Sequence, residues 1–361
     1  MSAQSPSQFA QTRLLKTIAW AGQVTSLLAM FILTGCARDR PDSAFELYLE
    51  RLSGALSVEV ASVEATPIAA LPAARDLQLD TGRSDIDVLD FLALSGCELQ
   101  VTIGKRNSSL GRLARDSQRL LLELEYLQLA PACIAYQREQ GELQLAATLE
   151  EAWIQKSSQL PGLIFNATLG GEEYRQFWKA PAAPGNYPAN TSSAVIASLQ
   201  AVNEHTLRWL AGDFNANNLE FELLLADITS GDGGALRQAL AAQAGALQAA
   251  NGMLARRMAR GPLCTPPLRP AAADILDNVI RMFFVGGTQP RAARLNRRYH
   301  ELLPAIAELE HMLSDALPPA YRAWQQQRDA ELAEWALAPR EHVSQLQAIQ
   351  QPCIKGEQLA R

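Results

Sequence analysis

The sequence predicts a mainly α protein, a multi-helix bundle of antiparallel helices, and three observations carry that expectation. Apolar residues recur every three or four positions along most of the chain. The strongest run, Leu295, Tyr299, Leu302, Ile306, Leu309 and Leu313, is the seam of a helix packed nearly parallel to its neighbours. Prolines gather between such runs, as at Pro262, Pro266, Pro267 and Pro270. No self-similarity at a period of roughly 30 to 45 residues is visible, which argues against a solenoid or a propeller. Composition agrees, since 361 residues of which 48% are hydrophobic, with 32 basic and 38 acidic side chains, suit a chain that buries a core. A net charge of −6 gives no basic footprint, so no nucleic-acid partner is expected.

The first element reads as a secretory signal. Arg13 and Lys16 precede seven uninterrupted apolar residues, Leu27 to Leu33, and then Thr34, Gly35 and Cys36. A membrane-spanning helix would need about 20 apolar residues, and Gln23, Thr25 and Ser26 spoil the longer span, so 1–35 is expected to be a cleaved signal peptide. Leu33-Thr34-Gly35-Cys36 resembles the lipobox of bacterial lipoproteins. That resemblance implies cleavage before Cys36, diacylation of its thiol and acylation of the new N-terminus. One acyl chain binds a membrane only marginally, whereas two or more hold stably. The mature chain, 36–361, is then a lipidated periplasmic helical domain whose partner, through the anchor, is the membrane. If it subdivides, the expected place is near 179–190. Ala37 stands where an Asp would retain such a lipoprotein at the inner membrane, so the resemblance implies the periplasmic face of the outer membrane. Losing 1–35 removes two cations and no acid, which takes the net charge to −8.

Further along, Asp42 is placed to cap a helix bearing Phe45, Leu49, Leu52 and Leu56, and Pro67 and Pro72 mark an extended arm after it. Asp85 opens a short helix through Leu94. Ser109 to Leu129 reads as a helix with Leu110, Leu113, Leu120, Leu124 and Leu127 on one stripe, and 138–157 as another amphipathic run. Lys179 to Asn190 is the clearest loop. Ser192 or Ser193 starts a helix to about Leu210, and an Ala-rich helix runs from about Gly234 to Met258. Pro304 is expected to kink the helix of the strong seam, and Pro318 and Pro319 to end it. Two more helices follow, one with Tyr321, Trp324, Leu332 and Trp335, the other with Val343, Leu346 and Ile349.

Four cysteines besides Cys36 lie in a compartment that oxidises thiols, so two disulfides are expected. Cys97 with Cys133 and Cys264 with Cys353 is the preferred pairing, because each closes a loop within one region. For Cys97 to reach the far end of a helix about 32 Å long, the chain between must run back extended. The alternation of Cys97, Leu99, Val101 and Ile103 with Glu98, Gln100 and Thr102 predicts one short extended segment over 97–103.

The run Arg106-Asn107-Ser108-Ser109-Leu110-Gly111 between Cys97 and Cys133, and Phe283-Phe284 followed by Gln289-Pro290 ahead of a long helix, resemble the bacterial lipoprotein family designated domain of unknown function 3080. The resemblance implies lipoprotein status and an all-helical body, and it brings no activity, ligand or catalytic residue.

Two polar groups are candidates for binding. Arg106, Asn107 and Ser109 could hold an anion at a helix start, although Asn107 or Ser108 serves equally well as an ordinary N-cap. Arg291, Arg294 and Arg298 share a helical face suited to phosphate or lipid A groups, which Glu301 and Glu308 can screen. Metal, cofactor and catalytic candidates are none. Glu308-x-x-His311 lacks the second such pair of a di-metal bundle site. Asp213, Asn215 and Asn217 begin like a calcium loop, but Asn218 and Leu224 stand where Gly and Glu are needed, so a polar interhelical turn is expected. His205, His300, His311 and His342 read as surface or half-buried helix residues. The function these features suggest is that of an anchored binding protein, a scaffold or envelope-assembly accessory. The alternatives are an envelope-directed hydrolase and a carrier of an apolar ligand.

Overall fold

The computed structural model describes residues 43–64, 66–82, 94–182, 187, 191–265 and 268–359. Two compact units divide the chain, Met1–Ser43 and Ala44–Arg361. The signal segment, Cys36, the capping role of Asp42 and the helix expected from Asp85 lie outside the described residues, apart from Leu94 itself, which sits in a turn.

The helices are α1 (Ser43–Leu56), α2 (Ala74–Leu77), α3 (Leu99–Asn107), α4 (Ser109–Arg112), α5 (Asp116–Glu139), α6 (Leu143–Ala167), α7 (Glu172–Phe177), α8 (Ala194–Leu210), α9 (Asn218–Thr229), α10 (Gly233–Met258) and α11 (Ala271–Val279). A π-helix, Ile280–Thr288, follows directly, then α12 (Gln289–Met312), a 3₁₀ turn (Ser314–Ala316) and α13 (Pro319–Leu359). Among the described residues there is no strand, and Thr265 and Leu268 form an isolated bridge. The mainly α bundle is as the periodicity predicts.

The long helices bury the stripes that their sequence spacing defines. In α8 that stripe is Val195, Leu199, Val202 and Trp209, and in α12 it is Leu295, Leu302, Ile306 and Leu309. The largest core gathers α5 to α10 with α12 and α13. A second core packs α1, the C-terminal half of α10, α11, the π-helix and the end of α13. A third lies between α3, α5 and α6. Both disulfides form as paired from the sequence, Cys97–Cys133 in the third core and Cys264–Cys353 in the second. Both cystines and all three cores thus lie within Ala44–Arg361.

Three expectations are corrected. Residues 99–107 are helical rather than extended, and the exposure of Val101 against the burial of Leu99, Thr102 and Ile103 shows a three-to-four period in place of a two-residue one. The helix meets the disulfide because α3 runs antiparallel to α5. Cys97 bonds Cys133 while Arg106 pairs with Glu123, so the steps along the two chains, nine and ten residues, rise by matching amounts of about 14 and 15 Å. An extended segment would have climbed about 30 Å and overshot. The stripe expected over 109–129 is also broken, into the single turn α4 and the longer α5. Finally, 319–359 is one helix that passes through Pro339 and Pro352. Its buried face continues across Pro339 as Trp335, Ala338, His342, Leu346, Ile349 and Cys353, and packing along that face outweighs the roughly 3 kcal/mol an interior proline costs.

Candidate interaction groove

α3 has nine residues and three buried side chains, too few to hold so short a helix in place by apolar contact alone. Covalent and ionic ties supplement them. The disulfide fixes its start. Near its end, Lys105 Nζ reaches Glu125 Oε1 at 2.9 Å and Arg106 Nε reaches Glu123 Oε1 at 2.7 Å. Glu123 is buried and accepts a second charge-assisted bond at 2.5 Å from Lys156 of α6, itself buried, with its ammonium 4.9 Å from the centre of the Tyr126 ring. Burial pushes the Lys156 pKa down, and the Glu123 carboxylate partly opposes that shift.

The chain then turns sharply. Ser108 Oγ donates to Lys105 O at 2.7 Å and accepts from Gly111 N at 3.0 Å, which caps α4. A Cβ at Gly111 would lie 2.2 Å from Lys105 O, so only glycine permits this approach of α4 to the end of α3. The result is a fixed projection carrying Leu110 and Leu113, 82% and 84% exposed.

Beside it runs an open groove of about 550 Å³. Its floor is the face of α5 from Gln118 to Gln128 with Leu121 and Leu122, one wall is Leu110, Gly111 and Ala114, and the other is Phe214, Ala216 and Asn218. The second wall is the Asp213 to Asn217 stretch expected as a polar interhelical turn. Asn217 caps α9 by accepting from Glu220 N at 3.1 Å, and Asn215 accepts from Gln128 at 2.8 Å across the groove. Leu219 and Leu223 of α9 are exposed nearby in sequence.

Of the candidates from sequence, Arg106, Asn107 and Ser109 come together on this projection, with different parts. Arg106 clamps α3 to α5, Asn107 and Ser109 are exposed, and Ser108 is the cap. The three arginines of α12 do not converge. Arg291 lies 6.0 Å from the Phe45 ring centre, Arg294 is exposed, and Arg298 is buried. Both ends of the Arg298 fork are engaged, at 3.0 and 2.5 Å from Asp232, and it also donates to Ser192 O. Asp232 accepts at 2.8 Å from Tyr187 as well.

His342 corrects its sequence reading, because it is wholly buried. Nε2 lies 2.6 Å from the Tyr48 hydroxyl and Nδ1 2.6 Å from Asn251 Oδ1, with the Phe284 ring edge-on at 4.9 Å. The tautomer that satisfies both neighbours is neutral, with Nδ1–H donating to Asn251 and Nε2 accepting from Tyr48. Burial lowers the His342 pKa to about 4. A second buried network was not visible in the sequence at all. Glu310 of α12 receives both Nη atoms of Arg328 at 2.6 and 2.8 Å, Tyr321 at 2.6 Å and Gln325 at 2.9 Å, and Arg328 lies against Trp178 and Trp324. Its charges are matched within the core, so it fixes α12 against α13. Among the described residues no group of three His, Cys, Asp or Glu side chains is placed to hold a metal ion.

The family model described as "Protein of unknown function (DUF3080)" matches residues 45–354, and the chain belongs to that family. No curated protein and no solved structure matches it.

Proposed function

We propose that the chain is a lipoprotein anchored through Cys36 at the periplasmic face of the outer membrane, and that it works by binding, as a scaffold or assembly accessory of the envelope. The single observation that carries the binding role is the open groove walled by a rigid turn whose two leucines face solvent. A monomer gains nothing in stability from such side chains, and exposed apolar clusters rimmed by polar groups mark interaction sites. The lipobox supports the anchor, and two disulfides are compatible with an oxidising compartment. Among the described residues no helix is long and apolar enough to cross a membrane. The test has two arms. Cys36→Ala should abolish incorporation of labelled fatty acid, and unchanged labelling would reject the anchor. A photo-crosslinking residue at Leu110 should give a discrete adduct in intact cells where one at exposed Leu268 does not, and equal results at both positions would reject the groove.

A further inference from the structure

We propose that the arm over 66–73 is a built-in peptide ligand. It fills a seat formed by Arg175, Arg237 and Trp324, whose outside ligand is an extended, proline-containing segment of a partner protein that binds by displacing the arm. The seat shares no residue with the groove on α5, and it depends on neither that groove nor the anchor.

The way the arm is held shows what the seat recognises. Pro67 and Pro72 mark it in the sequence, and 66–73 form neither helix nor strand. Ala73 has φ −59° and ψ 148°, the polyproline conformation, in which a chain makes no hydrogen bonds to itself. Ala69 O accepts from Arg237 Nη1 at 2.8 Å and from Trp324 Nε1 at 3.2 Å, and Pro72 O accepts from Arg175 Nη1 at 2.7 Å. Ile68, Ala69 and Leu71 rest half-buried on the largest core. Thr66, the one polar side chain of 66–73, is exposed, so the seat reads backbone carbonyls and apolar bulk.

The chemistry of the seat defines its occupant. Arginine and the indole N–H donate and never accept, so the occupant must bring carbonyls and need no acceptor in return. An extended segment interrupted by proline does this, because proline carries no N–H and its preset conformation loses little entropy on docking. The arm leaves part of the seat unused. Arg237 is 2% exposed, and its Nε and the Nη2 of Arg175 are buried without a hydrogen-bond partner among the described residues. An occupant that meets these donors as well binds more tightly than the arm. Departure of the arm leaves the body intact. Val58 and Leu77, both buried, hold its two ends, and most side chains between them are exposed.

The test uses the full chain and a dye-labelled peptide with the sequence of residues 64–75, followed by fluorescence anisotropy. One variant vacates the seat by replacing 66–73 with a Gly/Ser linker of equal length, and a second does so by Ile68→Asp with Leu71→Asp. In the native chain the arm competes at an effective concentration of about 1 mM, so the peptide should bind both vacated chains at least about tenfold tighter than the native one. Binding to the native chain should still be measurable at about 1 mM peptide. A peptide carrying Ile68→Asp and Leu71→Asp should bind none of the three, and Arg175→Ala in the linker chain should weaken binding about tenfold. Equal binding to native and vacated chains, no binding to the vacated chains, no displacement in the native chain, or indifference to the peptide substitutions or to Arg175→Ala would each overturn the proposal. So would loss of the native circular dichroism in both vacated chains, since the arm would then be part of the core and not a displaceable ligand.

Discussion

The two disulfides tie two regions that bury polarity in opposite ways. Around Cys97–Cys133, α3, α5 and α6 enclose an ionised cluster in which Glu123 answers Arg106 and Lys156. Around Cys264–Cys353, α1, α10, α13 and the π-helix enclose a neutral chain from Tyr48 through His342 to Asn251, set in an almost wholly apolar cluster. The difference follows from what each region presents outside. The second region can close on itself, since α1 alone contributes Phe45, Tyr48, Leu49, Leu52 and Leu56. The first must hold a short helix and an outward-facing turn whose leucines contribute nothing inward, so ionic and covalent ties replace the missing apolar contact.

The largest break in that comparison is expected at Glu123. Glu123→Ala leaves Lys156 buried without its carboxylate and removes the Arg106–Glu123 bond, and removing one member of a buried ion pair costs about 3 to 5 kcal/mol. Urea denaturation should show that loss, and hydrogen exchange should quicken most in 97–113, where α3 has lost its clamp. Adding Lys156→Met removes the stranded charge and should recover much of the stability without restoring slow exchange in α3, because the Arg106–Glu123 tie between α3 and α5 is still missing. A uniform rise in exchange across all helices would mean that the cluster serves the whole body and that the two regions are not separable.

His342 sharpens the other half. Its folded pKa, about 4, lies below the ordinary 6.5, so between those values the unfolded chain holds a proton that the folded chain does not. Stability from this group is therefore full above about pH 6.5, falls as pH drops toward 4, and changes no further below that. The span corresponds to about 3 kcal/mol. Carboxylates titrate in the same range, so the measurement is the difference between the native chain and His342→Gln. The pH slope from 7 to 4 should be shallower in the variant. Parallel slopes would mean that His342 is charged in the fold and that the second region also buries an ion.

How far the sequence reaches differs between these regions for the same physical reason. Periodicity reports burial, so helices that bury a full stripe, α1, α8 and α10, are readable to within a residue or two at most ends, whereas α12 is readable by its seam but ends at Met312, short of Pro318. Where burial is incomplete the pattern misleads. Leu110 and Leu113 fit the apolar stripe of α5 by spacing and yet stand in solvent, and Leu99, Val101 and Ile103 fit a strand by alternation although Val101 points outward from a helix. The two helices expected over 321–349 are one, because the buried face that carries the helix through Pro339 comes from packing that local sequence does not show. The groove was half legible. The Arg106 to Gly111 run drew attention as a helix start, which it is, but its opposite wall comes from residues more than 80 positions further on, and nothing local announces that juxtaposition. The Glu310–Arg328 pair is hidden for the same reason, since surface charges and buried ones look alike until their partners are known.

The smallest expected effect tests the outward turn directly. Leu113→Ser removes an apolar side chain that is 84% exposed, so it forfeits almost no buried area and should change unfolding free energy by less than about 0.5 kcal/mol. Leu127→Ser, three turns into α5 and wholly buried, places a hydroxyl and a cavity in the core and should cost several times more, about 3 kcal/mol or above. Thermal unfolding of the two variants side by side reads the contrast. If Leu113→Ser destabilises the isolated chain as Leu127→Ser does, the turn is covered from within the molecule and the groove is not an open surface. If it is silent for folding, the side chain is open to a partner at no cost to the fold, and that is the property a docking surface requires.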